Sequence, residues 1–372
     1  MTINNEYDLW WAMVPGVLGV KTMEIAGAVG DTEKMFKMDR DELLGIKGIG
    51  DRAAQYIINR RNSWNYEQSL ELLHRNNIRF IPYYSEEYPK RLLRIKDYPF
   101  ALFVIGNLPE DDVPSVAVIG ARDCSEYGRK VASYFGEGLA SCGINVISGM
   151  ALGIDAISQQ SAISSGGNSY AVLGSGPDVC YPPSNYKIYE HIKTNGGIIS
   201  EYGPNTEAVS WHFPARNRII SGLADILLVV EAKEKSGTHI TVDMALEQGR
   251  DIMVVPGRIT DPMSVGCLKL INEGAMCAIS VEDVLKILQE KYGNTAKTKQ
   301  LQGKVTKEEI KFNLESTEKL VYSCFDLYPK SLEEALIDSG LGDREVFQAV
   351  VNLEIRGLIS EVSKGYYVKI NT

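Results

Sequence analysis

The sequence predicts an α/β fold: a Rossmann-like, doubly wound, mostly parallel sheet between a helical N-terminal domain and a C-terminal winged-helix domain. Three observations predict it. Between 116 and 290, short apolar runs rich in β-branched residues alternate with helical patterns. Several of these runs stop at turns made of glycine, serine and alanine. Outside this block the periods change: glycine-hinged helices come before residue 80, and two capped helices with a hairpin follow residue 311.

Residues 1–80 read as a small helical domain. Within it, Leu43-Leu44-Gly45-Ile46-Lys47-Gly48-Ile49-Gly50-Asp51-Arg52 has the form of a helix-hairpin-helix, and Pro15-Gly16-Val17-Leu18-Gly19-Val20 is a looser copy. The exposed N–H groups at such a second helix can hold a phosphate. Equally, the glycines can serve only to pack two helices closely, and Asp51 beside the turn disfavours an anion. Residues 81–115 read as a connector. Over residues 75–100, Arg75, Arg79, Lys90, Arg91, Arg94 and Lys96 mingle with Phe80, Tyr83, Tyr84 and Tyr88, a mixture that suits a single strand but suits a solvated connector better.

The block 116–290 opens with Val116-Ala117-Val118-Ile119, a buried parallel strand that stops at Gly120. Ser125 stands where a helix cap belongs. Further strands are expected at 144–147, 169–173, 197–200, 225–230 and 252–255, with a short one near 276–279. The turns after them, Ser148-Gly149-Met150, Gly174-Ser175-Gly176 and Ser236-Gly237-Thr238, open on one carboxyl edge. Open α/β sheets bind ligands at that edge, and helix starts there favour phosphate. The same glycines would also serve a core that only packs helix on strand. Polar residues 291–311 read as a linker. In 312–372, Ser331 with Glu334 forms a capping box, and Asp343 is placed to cap a helix running to Arg356. Leu358 to Ile370 reads as a hairpin about Lys364-Gly365. The helix before it carries Asp343, Glu345 and Glu354 against Arg344 and Arg356, so protein contact or packing suits it better than a DNA groove.

Composition narrows the function classes. A chain that is 44% hydrophobic and 23% charged is an ordinary globular one, and its net charge of −9 argues against coating a polyanion indiscriminately. A local basic site remains compatible: Glu207 to Asp225 contains no acid between those two, yet holds Arg216 and Arg218. The apolar runs are too short to span a bilayer, so no membrane partner is expected. The start lacks the regions of a signal peptide, and six cysteines without a CxxC pair suit reduced thiols, so a cytoplasmic protein is expected. Four histidines show no metal spacing and no P-loop is present, so no metal or cofactor is expected. His212 between Trp211 and Phe213 reads as packing. Arg216 and Arg218 cannot both face one ligand unless it wraps the turn, and one of them is expected to pair internally with Asp178, Glu201 or Glu231.

Taken in order, Gly120-Ala121-Arg122 with Ser125 and Tyr127-Gly128, Ser148-Gly149-Met150-Ala151-Leu152-Gly153-Ile154-Asp155, Ala171-Val172-Leu173-Gly174-Ser175-Gly176, Tyr181-Pro182, Phe213-Pro214-Ala215-Arg216-Asn217-Arg218-Ile219-Ile220-Ser221-Gly222, Val229-Val230-Glu231-Ala232 and Gln248-Gly249-Arg250 through Val255-Pro256-Gly257 resemble the DprA/Smf family. The resemblance covers about 116 to 275. It implies a bacterial cytoplasmic protein, not an enzyme. Such a protein binds single-stranded DNA, protects incoming strands in natural transformation and loads the RecA recombinase. It also implies a homodimer whose Rossmann-like domain carries the DNA pocket. Carried onto this chain, the pocket uses Gly120, Arg122 and Ser125, with Phe213, Arg216, Asn217 and Arg218. Tyr189 would stack on a base, and Ser148, Gly149 and Ser236 would contribute. The chain departs from the family pattern at His239 and Asp243, where Leu and Ala are usual, and at Leu268, where Asn is common. The alternative is a Rossmann-like nucleotide phosphoribohydrolase, with Asp243 in the Ser236-Gly237-Thr238 helix as the assisting carboxylate.

Overall fold

The computed structural model describes residues 5–14, 21–293, 315–326 and 328–370. The second hairpin copy and the linker from 294 onward lie outside these residues. The described chain divides into two units: one holds 1–124 and 131–305, the other 125–130 and 306–372.

Among the described residues, the first unit begins with six helices: α1 (Glu6–Ala12), α2 (Thr22–Val29), α3 (Thr32–Lys37), α4 (Arg40–Leu44), α5 (Asp51–Asn62) and α6 (Tyr66–Arg75). Caps explain several of the starts. Asp39 and Glu42 form a capping box on α4, and Asn65 accepts from the Gln68 N–H on α6. At the glycine turn, Asp51 opens α5 but pairs with Arg40 at 2.5 Å, so the hairpin's acid is already partnered. Trp10 and Trp11 are buried with Leu9, Leu43 and Ile57 in a core that continues onto one face of the sheet through Phe103, Tyr189 and Ile198.

The sheet has nine strands: β1 (Arg79–Pro82), β2 (Ala101–Gly106), β3 (Ser115–Ile119), β4 (Asn145–Ser148), β5 (Ser169–Leu173), β6 (Gly196–Ser200), β7 (Ile226–Val229), β8 (Asp251–Val254) and β9 (Met276–Cys277). Their order is β1-β2-β6-β5-β4-β3-β7-β8-β9. From β6 to β9 all pairings are parallel, while β1 and β2 add antiparallel strands at one edge. Strands 3 to 9 fall where the apolar runs placed them. The connector reading is corrected: 79–82 and 101–106 are sheet strands, and Phe80, Leu102, Phe103 and Val104 are buried in the core.

The crossover helices are α7 (Glu126–Ser141), α8 (Ile154–Ser164), α9 (Tyr186–Thr194), α10 (His212–Leu223), α11 (Thr238–Glu247) and α12 (Val265–Asn272), and α13 (Val281–Tyr292) follows β9. Ser125 accepts from the Gly128 N–H at 3.0 Å, as a cap should. β3 pairs with β4 on one side and β7 on the other, so chain direction across the sheet reverses between β3 and β7. Residues β-branched at both faces of these strands are buried on both sides, as a covered parallel sheet requires.

Arg91 ties the edge segment to this core. It is 6% exposed; Nη1 donates to Leu223 O at 2.8 Å, Nη2 to Asp111 O at 2.9 Å, and the guanidinium pairs with buried Asp225 at 3.5 Å. Asp225 also accepts from the Ser115 N–H and the Tyr292 hydroxyl.

The second unit carries α14 (Ser316–Cys324), β10 (Lys330–Ser331), α15 (Leu332–Ser339), α16 (Asp343–Ile355), β11 (Ile359–Ser363) and β12 (Tyr366–Lys369), with strand order β10-β12-β11. The Ser331–Glu334 box caps α15. Asp343 is the first helical residue of α16 and not its cap; Gly342 precedes it, and its N–H donates to Glu345 at 3.1 Å. Val321, Phe325, Val346, Val350 and Leu353 close a separate small core.

Replacing Arg91 by Met is expected to cost about 3–5 kcal/mol: Asp225 keeps only the half-exposed Lys291 at 3.4 Å as its cation, and the carbonyls of Leu223 and Asp111 lose their donor. Urea unfolding checks it; a loss below about 1 kcal/mol would show that Arg91 does not anchor the edge.

Candidate functional site

Where the connections leaving the paired strands β3 and β7 part, a cavity of about 660 Å³ opens at the carboxyl edge. This is where a doubly wound sheet leaves a crevice. Gly120, Ala121 and Arg122 line it from the β3 turn, Phe213, Arg216 and Asn217 from α10, and Lys233, Ser236 and Thr238 from the approach to α11.

The turns meet because specific side chains are missing. A Cβ on Gly153 would lie 2.3 Å from Ala121 O and 2.5 Å from Arg122 O. Glycine there, at φ +76°, lets the β3 turn rest on the start of α8. A Cβ on Gly149 would lie 2.5 Å from the Arg216 guanidinium. That space lets Arg216 Nη1 donate to Gly149 O at 2.9 Å and also to Val172 O, bracing the ends of β4 and β5. Met150, next in the turn, takes φ +54°, a left-handed conformation that costs of order 1 kcal/mol. Gln159 Oε1 and Asn185 Nδ2 bond its N–H and carbonyl and hold it there.

Arg216 is 4% exposed and forms the floor of the cavity. Burial lowers its guanidinium to about 10, opposed by Asp155, so it stays charged at neutral pH. Asp155 is buried too, and burial raises its carboxyl; Arg216 opposes this, as do bonds from the Gly149 and Ala151 N–H groups. Arg122 differs in kind. It is exposed, carries no ion pair among the described residues, and sits 5.7 Å from the Phe213 ring centroid. Phe213 in turn packs 5.4 Å from Tyr181, giving the cavity an aromatic wall. Asn217 Oδ1 accepts from Arg216 Nε, and Ser236 Oγ accepts from the Thr238 N–H at the start of α11.

Not every residue read from the sequence lies there. Arg218 is corrected: it is 1% exposed, and donates to Glu201 at 2.7 Å and to Asp97 O at 2.8 Å. It is the arginine whose internal pairing with Glu201 the spacing anticipates. Tyr189 is corrected as a stacking platform: it is 2% exposed, its hydroxyl donates to Pro177 O, and Lys193 lies over its ring. Ser148 is fully buried and donates to Val118 O at 2.6 Å, so it shapes the turn from below. Ser125 is committed to its cap. Asp243 is exposed on α11, outside the cavity lining, so the carboxylate of the hydrolase alternative does not face the cavity. His212 packs on Tyr202 at 3.8 Å and bonds Gly174 O through Nδ1.

Among the lining residues that escaped the sequence reading are Lys233, Tyr181 as a wall, and Asp155 as the partner of Arg216. Lys233 lies between Glu231 and Glu234 in sequence, where its charge looks cancelled; in space it faces the cavity mouth. The arrangement offers two exposed cations, an aromatic wall and a helix start, which suits a phosphate joined to a base.

Residues 79–289 match the family described as DNA recombination-mediator protein A. DNA processing protein DprA of Streptococcus pneumoniae is 44% identical over 198 residues, covering 53% of this chain and 70% of the relative. Protein Smf of Synechocystis is 31% identical over 387 residues, covering 96% of this chain and 97% of the relative. Among solved structures, DprA of Streptococcus pneumoniae superimposes with a TM-score of 0.64 at 34% identity, covering 77% of this chain and 98% of that one. DprA of Helicobacter pylori, solved to describe its single-stranded DNA binding mode, gives 0.53 at 28% identity, covering 58% and 99%.

Gly149→Ala is expected to lose about 1–3 kcal/mol, because the methyl group displaces the guanidinium. Gly237→Ala, with open space around its Cβ, should stay within about 0.5 kcal/mol of wild type. Paired urea titrations read both; equal effects would contradict the role given to the Gly149–Arg216 contact.

Proposed function

The chain belongs to the DNA recombination-mediator protein A family, and from that premise we propose that its switch-point cavity binds single-stranded DNA during recombination of DNA taken up in natural transformation. The observation that carries the reading is the pair of exposed cations, Arg122 and Lys233, set beside Tyr181 and Phe213 on a chain of net charge −9. A cationic mouth selects a phosphate backbone, and an aromatic wall selects unpaired bases, which a duplex keeps stacked. Gly120, Asn217 and Ser236 complete the contact surface. Arg216 acts from the floor, positioned by Asp155, while Ser148 and Gly149 shape the turn that receives it. Loading of RecA onto the bound strand, homodimerisation, and action in the cytoplasm without enzymatic turnover belong to the same proposal. They are supported by the family and by the resemblance of the motifs.

Electrophoretic mobility shifts with a single-stranded oligonucleotide and its duplex test the reading; the single strand should bind more tightly. Arg122→Ala and Lys233→Ala should each weaken single-strand binding, and each should lower the salt slope by about one phosphate contact. Arg216→Ala should weaken binding as well. Wild-type affinity and slope in both rim variants would refute the cavity as the binding site.

A further inference from the structure

On α16, Phe347, Val351 and Ile355 are 51%, 48% and 80% exposed. They stand four residues apart, so they form one apolar stripe spread over roughly 80° of the helix surface. The opposite face, Val346, Ala349, Val350 and Leu353, already fills the core of the unit, so helix formation does not account for the stripe. Three large apolar side chains in a row on a small unit mark an interaction surface.

Charge identifies what covers it. At roughly 100° per residue, Asp343 and Glu354 border one side of the stripe near its two ends, and Arg344 and Gln348 border the other. The described stretch from 315 to 370 holds ten acidic against six basic residues. Duplex DNA would meet carboxylates. A second copy packed antiparallel would set Asp343 opposite Glu354 of its partner along the same border, an unfavourable like-charge contact. We propose that this stripe receives a basic amphipathic helix of a partner protein, whose apolar face covers Phe347, Val351 and Ile355 and whose lysines or arginines meet Asp343 and Glu354. Helix-on-helix docking through anchors at such spacing is a recurrent recognition mode. The site is separate from the cavity at the sheet edge and does not rest on the function proposed for it.

The test uses the full chain and a fluorescein-labelled synthetic amphipathic peptide with leucines on one face and lysines along its borders, followed by fluorescence anisotropy. Saturable binding that weakens with salt is expected, and Phe347→Ser and Ile355→Ser should each reduce affinity about tenfold or more. Both side chains are exposed, so the circular-dichroism melting curves should stay at the wild-type position. Should one variant fail to fold, the other carries the test. Equal binding of a peptide whose borders are glutamates would overturn the proposal, as would wild-type affinity in a folded variant. Displacement of the peptide by a duplex oligonucleotide would assign the stripe to nucleic acid. Self-association in sedimentation that both substitutions abolish would assign it to a second copy, and either result overturns the proposal.

Discussion

The cavity depends on one buried arginine. Arg216 reaches from α10 to the carbonyl oxygens that close β4 and β5, and its charge is answered by Asp155 at the start of α8. Removing a guanidinium from water is costly, and only hydrogen bonds on several sides together with an opposing charge make it tolerable. That requirement accounts for the glycine at 149, where a methyl group would occupy the space of the guanidinium. It also accounts for Asp155, whose carboxylate is held by the backbone of the turn it supports. Loops that would otherwise move independently are therefore fixed in relation to one another.

The three arginines of the edge consequently differ. Arg218 is locked between Glu201 and Asp97 and belongs to the scaffold. Arg216 is structural on one side and lines the cavity on the other. Arg122 is exposed and lies over an aromatic ring with no carboxylate answering it among the described residues, and Lys233 joins it at the mouth. Charge that is already satisfied inside the protein contributes little to a ligand. Exposed charge on a rigid rim contributes most, because no internal ion pair must be broken before a phosphate is bound.

Much of this was legible in the sequence. Seven strands and the turns after them follow from short β-branched runs ending in small residues, a local signal. β1 and β2 were not legible as strands: prolines at 82 and 99 and the basic residues around them describe a surface segment, yet Phe80, Leu102 and Phe103 alternate into two cores only when the sheet supplies both faces. The site shows the same division. Gly120, Arg122, Phe213 and Asn217 were recognisable from their turns and do line the cavity. Tyr189 and Arg218 misled because identity and spacing do not reveal which face a helix turns inward; each points into the interior, where a carbonyl or a carboxylate was waiting. Lys233 was hidden by acidic neighbours in sequence whose charges are engaged elsewhere: Glu234 pairs with Lys269, and Glu231 is buried.

One small cationic opening on an otherwise acidic chain thus concentrates the specificity of the whole. The most direct measurement is photo-crosslinking of the protein to a single-stranded oligonucleotide carrying 5-iodouracil, with the adduct located by mass spectrometry. Attachment is expected at Tyr181 or Phe213, the two rings of the cavity wall. Adducts confined to the glycine hairpin at 43–54 or to residues 315–370 would contradict it.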